Sequence, residues 1–226
     1  MQCLHCNRKF CLSYVPIFKV LKQEEMMELS KIITHRTYKK GEYIFLAGDL
    51  SNHLFVVRKG TVKLTHVLED GREQVVRIVL PGDFFGELAM FQNSPLTSNA
   101  VVIEEAELCI LQGNLFKELL LKIPSLQLNM MHILSERLEK AESKLSRIHG
   151  QDAGQRLAAF LLQCSENSKN DTFILPVNKT DVASILGTSR ETLSRKLSSL
   201  QKKGIISLSG REIKICNYEA LRQLIT

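Results

Sequence analysis

The sequence lacks any long apolar segment. No apolar run approaches the ~18 to 20 residues that a membrane-spanning helix needs, and Met1 to Phe10 are polar and contain cysteine, unlike a secretion signal. We therefore expect a soluble, cytoplasmic protein with no membrane partner. With 44% hydrophobic and 24% charged residues among 226, the composition favours two small globular domains and argues against disorder.

The sequence also lacks two short motifs that are typical of hydrolases. Neither Gly-x-Ser-x-Gly nor His-Glu-x-x-His occurs, so neither a serine nucleophile elbow nor a zinc protease site is indicated. Apart from His5, which lies among the N-terminal cysteines, the histidines are scattered along the chain, at His35, His53, His66, His132 and His149. We therefore predict that the protein is not an enzyme.

Positive charge is concentrated near the end of the chain. The whole sequence has a formal net charge of +6, and residues 177–226 contain nine Lys or Arg against four Asp or Glu. A basic cluster of this kind is either a solvated face or a surface for an anionic partner such as nucleic acid.

Cysteines are concentrated at the other end. Three of the six cysteines, Cys3, Cys6 and Cys11, fall within nine residues. Because no secretion signal precedes them, metal binding or redox sensing is a better explanation than a structural disulfide framework.

The middle of the chain, from Thr37 to about Leu111, has no helical period. Short apolar stretches such as Tyr43 to Phe45 and Leu54 to Val57 alternate with glycine-containing turn signals. Strands at this spacing predict an all-β domain, either an antiparallel barrel or a sandwich.

After Pro124 the period becomes helical. Apolar residues recur at alternating steps of three and four, which is the a/d pattern of a coiled coil, and charged residues occupy the other faces. A parallel dimer is the natural use of such a seam, and one amphipathic helix lying on the β-domain is the alternative. The predicted dimerisation residues are Met131, Leu134, Leu138, Ala141, Leu145 and Ile148.

The basic C-terminal region has the pattern of a helix-turn-helix between about Asp181 and Gly204. Asn178 or Thr180 can cap a first helix that Gly187 ends. Thr188 and Glu191 have the spacing of a capping box for the second helix, which Gly204 ends. Residues 205–215 then read as a hairpin wing.

The second helix has one apolar and one hydrogen-bonding face. Leu193, Leu197 and Leu200 share the face that must be buried. The opposite face is predicted to read bases or bind phosphate at the helix start, and lysines further along suit phosphates. The candidate DNA-binding residues are Thr188, Ser189, Arg190, Glu191, Ser194, Arg195, Lys196 and Lys202, with Ser198 and Lys203 beside them. A generic two-helix corner is the alternative.

Two segments together resemble the CRP/FNR family of transcriptional regulators over nearly the whole chain. They are Thr188-Ser-Arg-Glu-Thr-Leu-Ser-Arg195 and Pro81-Gly-Asp-Phe-Phe-Gly-Glu-Leu-Ala89. The resemblance implies an α+β fold with a cysteine-bearing segment (1–18), an antiparallel β-roll sensor domain of the jelly-roll, cyclic-nucleotide-binding-like type (19–123), a dimerisation helix (124–149) and a winged helix-turn-helix domain (150–226). It further implies a homodimer on double-stranded DNA with palindromic TTGA- or TGTGA-like half-sites, with RNA polymerase as a further candidate partner.

The sequence departs from the cyclic-AMP-binding members of this family. Those members follow Gly-Glu-Leu-Ala with an Arg-Ser pair whose arginine binds the cyclic phosphate, whereas this chain has Thr97-Ser98 there. Losing that charge-assisted hydrogen bond costs about 1.5 to 3 kcal/mol. We therefore interpret Gly86 to Ala89 as a structural turn and keep a cyclic-nucleotide-like ligand in the roll as the alternative mode of control.

The cysteines resemble those of the FNR branch, which bind a [4Fe-4S] cluster. Cys3, Cys6 and Cys11 correspond to the first three ligands and Cys109 to the fourth. The Cys-x2-Cys-x4-Cys spacing is one residue shorter than that of FNR and resembles FNR-like proteins of low-GC Gram-positive bacteria. Three chemistries stay open: an iron–sulfur cluster, a dithiol–disulfide switch without cofactor, and Zn²⁺ held with or without His5.

Overall fold

A computed structural model describes residues 15–150, 152–168 and 170–225, with side chains throughout except at 144–150 and at 167. The chain divides into two compact units, Met1–Leu138 and Glu139–Thr226. Within the described residues, no helix is both long enough and apolar enough to span a membrane.

The first unit is a β-roll with flanking helices. It opens with a 3₁₀ turn at Pro16–Phe18 and helix α1 at Gln23–Lys31. The strands are β1 (Ile33–Tyr38), β2 (Tyr43–Phe45), β3 (His53–Val67), β4 (Glu73–Val79), β5 (Phe84–Phe85) and β6 (Asn99–Gln112). The remaining helices are α2 (Glu87–Gln92), α3 (Gly113–Lys122) and the start of α4 (Pro124–Gly150).

All strand pairs of the roll are antiparallel, in the order β1-β6-β3-β4, with β2 paired to β6 and β5 to β3. The register of β3 against β6 shifts around Gly60, which has a φ of +81°. A Cβ at this glycine would lie 2.1 Å from the Glu105 carbonyl oxygen, so only glycine allows this close approach. The predicted antiparallel all-β domain is therefore confirmed.

Two apolar clusters hold the first unit together. One cluster is built from the strands and contains Phe45, Phe55 and Phe85, whose ring centroids lie 5.1 to 5.8 Å apart. The other combines strand residues with the 3₁₀ turn, α3 and α4, and it includes Phe18 and Phe116. The strand pattern of the sequence predicts neither α1 nor α3, because both are short amphipathic helices outside the alternating segment.

The second unit contains a small sheet and short helices. Its elements are α5 (Ala153–Ser168), β7 (Thr172–Ile174), α6 (Lys179–Ile185), α7 (Arg190–Lys202), β8 (Ile206–Ser209), β9 (Glu212–Ile215) and α8 (Tyr218–Gln223). The three strands pair antiparallel in the order β7-β9-β8. The predicted helix-turn-helix and hairpin wing are therefore present.

The ends of α6 explain why one capping prediction is right and another is wrong. Asn178 caps α6, because its side-chain oxygen accepts from the Asp181 amide at 2.9 Å. Gly187 ends the helix with a φ of +60°, as predicted. The Thr188 amide, however, donates to the Ala183 carbonyl at 3.0 Å and completes a Schellman motif. Thr188 therefore belongs to the end of α6, and the predicted Thr188–Glu191 capping box is wrong.

Candidate nucleic-acid interface

Helix α7 separates its side chains as the sequence predicts. Leu193, Leu197 and Leu200 are buried and pack into the second unit. Because the helix turns by about 100° per residue, the opposite face is turned to solvent. The exposed residues of that face are Arg190, Glu191, Ser194, Arg195 and Ser198.

Ser189 is the N-cap of α7. Its hydroxyl oxygen accepts from the Thr192 amide at 3.2 Å, which satisfies one of the free amides at the helix start. The pKa of the Glu191 carboxyl is lowered, first by a hydrogen bond from its own backbone amide and then by the Ser189 hydroxyl. Glu191 is therefore ionised at neutral pH and can accept hydrogen bonds from a cytosine amino group.

The turn before α7 is held from the opposite side by α5. The Arg156 Nε atom donates to the Leu186 carbonyl at 2.8 Å, and this carbonyl lies at the C-cap of α6. Carbonyls at the end of a helix have no intrahelical partner, so the half-buried Arg156 side chain is a natural donor to this one. This contact, which no local signal in the sequence indicates, ties α5 to the turn between α6 and α7.

The candidate cations have different surroundings. Arg195 is exposed, and its Nη2 atom lies 3.4 Å from the Thr192 hydroxyl. Lys202 is exposed near the end of α7. Lys196 is half-buried, and its Nζ atom lies 3.7 Å from an Asp152 carboxylate oxygen. Lys196 therefore already has a carboxylate close to its ammonium group.

The wing is anchored by an arginine that the sequence did not single out as structural. Gly210 lies at the tip between β8 and β9 with a φ of +61°. Next to it, the Arg211 side chain donates through Nε and Nη2 to the Leu175 carbonyl, at 3.3 and 2.7 Å. Arg211 therefore connects the wing to Leu175, which lies just before the helix-turn-helix.

The predicted seam on α4 is only partly exposed. In the first unit, Met131 and Leu138 are 58% and 61% exposed, whereas Leu134 packs partly against the apolar cluster of the roll. Ala141 is exposed, and the side chains of Leu145 and Ile148 lie outside the described residues. Leu128, which precedes Met131 by one helical turn, is also exposed. A stripe of large apolar side chains therefore lies open to solvent on α4.

The candidate metal ligands are described only at one position. Cys3, Cys6 and Cys11 lie outside the described residues, whereas Cys109 is 2% exposed in the apolar cluster that also contains Val15. The Cys109 sulfur lies 3.4 Å from Nδ1 of His35, its cross-strand neighbour. In the part of the chain that the structure describes, no three His, Cys, Asp or Glu residues form a group that could hold a metal ion.

The Gly86–Ala89 segment forms the start of the short helix α2. Gly86 is the N-cap of α2 with a φ of +89°, and a Cβ there would lie 2.6 Å from the His53 carbonyl oxygen. Glu87 is buried, and the guanidinium groups of Arg77 and Arg137 lie 3.4 and 2.9 Å from its Oε1 atom. The chain's own side chains thus already pair with this carboxylate.

The comparisons with known proteins agree with this architecture. Residues 35–122 match the family model described as "Cyclic nucleotide-binding domain", and residues 155–224 match "Crp-like helix-turn-helix domain". The chain is 28% identical to the "Probable transcriptional regulator flp" of Lacticaseibacillus casei, over 92% of this chain and 95% of that protein. It is 31% identical to the "Anaerobic regulatory protein" of Pasteurella multocida, over 98% of this chain and 82% of that protein. The structure of FixK2 from Bradyrhizobium japonicum is similar, with a TM-score of 0.77 and 26% identity, over 86% of this chain and 98% of that one.

Proposed function

Because the chain belongs to the CRP/FNR family of transcriptional regulators, we propose that it reads palindromic DNA as a homodimer and that its cysteines control this binding. The observation that carries the proposal is the exposed face of α7 over a buried leucine stripe. The DNA-binding helix-turn-helix and the regulatory class follow from the family. Beyond the family, we propose which residues read bases, that the protein is a homodimer and that its redox state controls binding.

The exposed face of α7 has the chemistry of direct readout. Arg190 and Arg195 can each donate two hydrogen bonds to the O6 and N7 atoms of guanine, and Glu191 can accept from cytosine N4. Ser194 adds a small donor and acceptor between them. Lys196 and Lys202 suit phosphates, which fix the position of the helix without selecting sequence. This set supports a TTGA- or TGTGA-like half-site.

The exposed stripe on α4 supports a homodimer. Leu128, Met131 and Leu138 are large apolar side chains on one helix face, and association of two copies along α4 removes them from water. A two-fold dimer presents two α7 helices to the major groove about 34 Å apart, which is one turn of DNA. Two half-sites arranged as a palindrome match that symmetry.

An equilibrium titration with two variants tests the proposed base reading. Arg195→Ala should lower affinity for a specific site by about 1 to 3 kcal/mol and leave affinity for random DNA much less affected. Lys202→Ala, on the same helix, should weaken both complexes by similar factors, because a phosphate contact carries no sequence information. Equal losses on the two DNAs for Arg195→Ala would contradict its assignment.

The position of Cys109 supports redox control. The segment that carries the other three cysteines joins the described chain at Val15, which belongs to the same apolar cluster as Cys109. Asn129 of α4 also donates to the carbonyls of Pro16 and Ile17, both at 2.9 Å. Residues 15–17 therefore connect the cysteine-bearing segment to α4, and we expect a change in that segment to reach the helix that carries the proposed dimer face.

The cysteines provide the donors that an iron–sulfur cluster requires. Cys3, Cys6, Cys11 and Cys109 together supply four thiolates, and such a cluster would change its charge and ligation on oxidation. The same thiols can instead form a disulfide or bind zinc. Iron, sulfide and zinc analysis of protein purified without oxygen separates the three chemistries.

The redox part is tested by substitution of one cysteine in each unit. Cys109→Ser should remove the difference in DNA affinity between reduced and oxidised protein. Cys216→Ser should keep the difference, because Cys216 is exposed at the end of the wing. If the unsubstituted protein binds DNA equally well in both states, redox control is wrong.

A small-molecule ligand in the roll is the second candidate mode of control. It is favoured by the match of residues 35–122 to a cyclic-nucleotide-binding domain and by the retention of Gly86 and Glu87. Calorimetric titration with cyclic AMP tests it. We expect no heat of binding, since Thr97 replaces the phosphate-binding arginine and Glu87 already pairs with two arginines.

A further inference from the structure

Arg137 joins helix α4 to the roll within the first unit. Its Nη1 atom donates to Glu87 Oε1 at 2.9 Å, while its Nη2 atom donates to an Asp83 carboxylate oxygen and to the Phe84 carbonyl oxygen, the latter at 3.1 Å. The guanidinium carbon also lies 3.7 Å from the centre of the Phe84 ring. One side chain of α4 thus contacts Asp83, Phe84 and Glu87 of the roll, and its Nη2 atom is shared by the Asp83 carboxylate and the Phe84 carbonyl.

A second arginine completes this cluster from β4. Arg77 donates from Nη2 to the Phe84 carbonyl oxygen at 2.8 Å, and its Nη1 atom lies 3.4 Å from Glu87 Oε1. Two guanidiniums therefore face two carboxylates, so the charges of the cluster balance. This balance matters because Glu87 is only 6% exposed. Burial, followed by the neighbouring Arg77 charge, lowers the pKa of Arg137. The two carboxylates offset that desolvation.

The cluster is not saturated. Among the described residues, Glu87 Oε2 and Arg77 Nε are buried and have no hydrogen-bond partner. Glu87 is therefore held through one oxygen that Arg77 and Arg137 share. If Arg137 is removed, one guanidinium is left against two carboxylates, and the cluster keeps an uncompensated negative charge.

Arg137 lies near the point on α4 where the first unit ends. The first part of α4 packs against the roll through apolar residues such as Leu126 and Met130. Arg137 follows two turns later and is the second-last residue of the first unit, which ends at Leu138. The polar contact thus lies where α4 passes from the part attached to the roll to the part that belongs to the second unit.

We propose that Arg137 is a built-in clamp that fixes α4 to the roll without any bound ligand, and that signals from the roll reach α4 through it. The second half of this proposal rests on the redox-controlled DNA binding proposed above. The first half does not, because it concerns only contacts within Met1–Leu138.

Hydrogen exchange along α4 tests the clamp itself. Arg137→Gln in the full chain should raise amide exchange around residues 133–138 at least tenfold relative to the unsubstituted protein. Arg72→Gln is the matched control, since Arg72 also pairs with an aspartate of the roll but its side chain is 80% exposed. Exchange in α4 that is the same for Arg137→Gln and Arg72→Gln would overturn the clamp.

Two milder variants keep the test decisive if Arg137→Gln fails to fold. Asp83→Asn removes one charge at the more exposed edge of the cluster and should raise exchange in the same α4 peptide by a smaller factor. Arg137→Lys keeps the charge but cannot donate to Glu87 and Asp83 in the same forked geometry, so it should also raise exchange in this peptide, by a smaller factor than Arg137→Gln. Unchanged exchange in both variants would also refute the clamp.

DNA titrations in both cysteine states test the transmission. In Arg137→Gln the ratio of DNA affinities between the reduced and oxidised states should fall to less than a third of the ratio in the unsubstituted protein, while Arg72→Gln keeps it. If Arg137→Gln keeps the full ratio, the transmission is wrong. If the unsubstituted protein binds DNA with the same affinity in the reduced and oxidised states, the proposed redox control is wrong. The hydrogen-exchange experiment still tests the clamp in that case.

Discussion

Replacing Ser189 by alanine should destabilise α7 at its N-terminus. The substitution removes the oxygen that accepts from the Thr192 amide at 3.2 Å and leaves that amide with water as its only new partner. Loss of an N-cap serine costs about 1 kcal/mol. For a unit of this size, that corresponds to a decrease in melting temperature of about 4 to 8 °C.

Three variants measured together separate the loss of the cap from a general effect of substitution in α7. Thermal and urea unfolding of the full chain, followed by far-ultraviolet circular dichroism, should give Ser189→Ala the lower stability. Ser189→Asp should restore most of it, because aspartate is an equally good N-cap and its charge suits the helix N-terminus. Ser198→Ala, the same change on the exposed middle of the same helix, should be neutral or slightly stabilising.

Either of two outcomes would refute the role of Ser189 as the N-cap of α7. The first is a Ser189→Ala protein whose free energy of unfolding matches that of the unsubstituted chain. The second is a Ser189→Asp protein that is as unstable as Ser189→Ala, because the side-chain oxygen would then not be what matters. The test also decides between Ser189 and Thr188 as the cap, since Thr188→Ala should have the smaller effect.

Further predictions concern the cores and the thiols. Leu197→Ala should cost about 2 to 5 kcal/mol of stability, measured by urea unfolding, because the side chain is buried under α7. Gly60→Ala should destabilise the roll more than Gly41→Ala, since both have positive φ but only at Gly60 would a Cβ meet backbone, at 2.1 Å; equal melting temperatures would contradict this. Burial raises the pKa of the Cys164 thiol to about 11, so Cys164 is protonated at pH 8 and should react with iodoacetamide far more slowly than the exposed Cys216 in peptide mass analysis. The same raised pKa means that the stability contributed by neutral Cys164 is present below its ordinary pKa of 9.0 and is lost as the pH rises toward about 11.

The helix-turn-helix could be predicted because its signals are local. The leucine spacing of α7 and the two glycines that end α6 and α7 lie within one short segment, and all behave as expected. The cap of α7 was misassigned by one residue, to Thr188. The spacing of Thr188 and Glu191 does not show that the Thr188 amide already donates to the Ala183 carbonyl, and in the structure Ser189 is the cap.

The contacts that organise the site could not be predicted because they join distant parts of the chain. Arg156 and Leu186 are 30 residues apart, Arg211 and Leu175 are 36 apart, and Arg137 lies 54 residues after Asp83. In the sequence each of these arginines is one cation among many. Only the fold brings each one to a carbonyl or carboxylate that needs a donor.

The heptad seam is an intermediate case. Its period correctly identifies an amphipathic helix, but period alone does not say which apolar residues face the roll and which remain exposed. In α4, Leu134 packs partly against the roll while Met131 and Leu138 do not. Part of the seam therefore packs on the β-domain, as the alternative predicts, and the parallel dimer stays a prediction for the exposed part.

The most direct test of the central proposal is the dependence of DNA affinity on half-site spacing. Duplexes with two TTGA or two TGTGA half-sites one helical turn apart should bind the protein as a dimer, since each α7 then meets one major groove. Inserting half a helical turn between the half-sites should weaken binding at least a hundredfold, to the level of random DNA. If affinity is unchanged by the insertion for both half-site sequences, the protein does not read a palindrome through paired α7 helices.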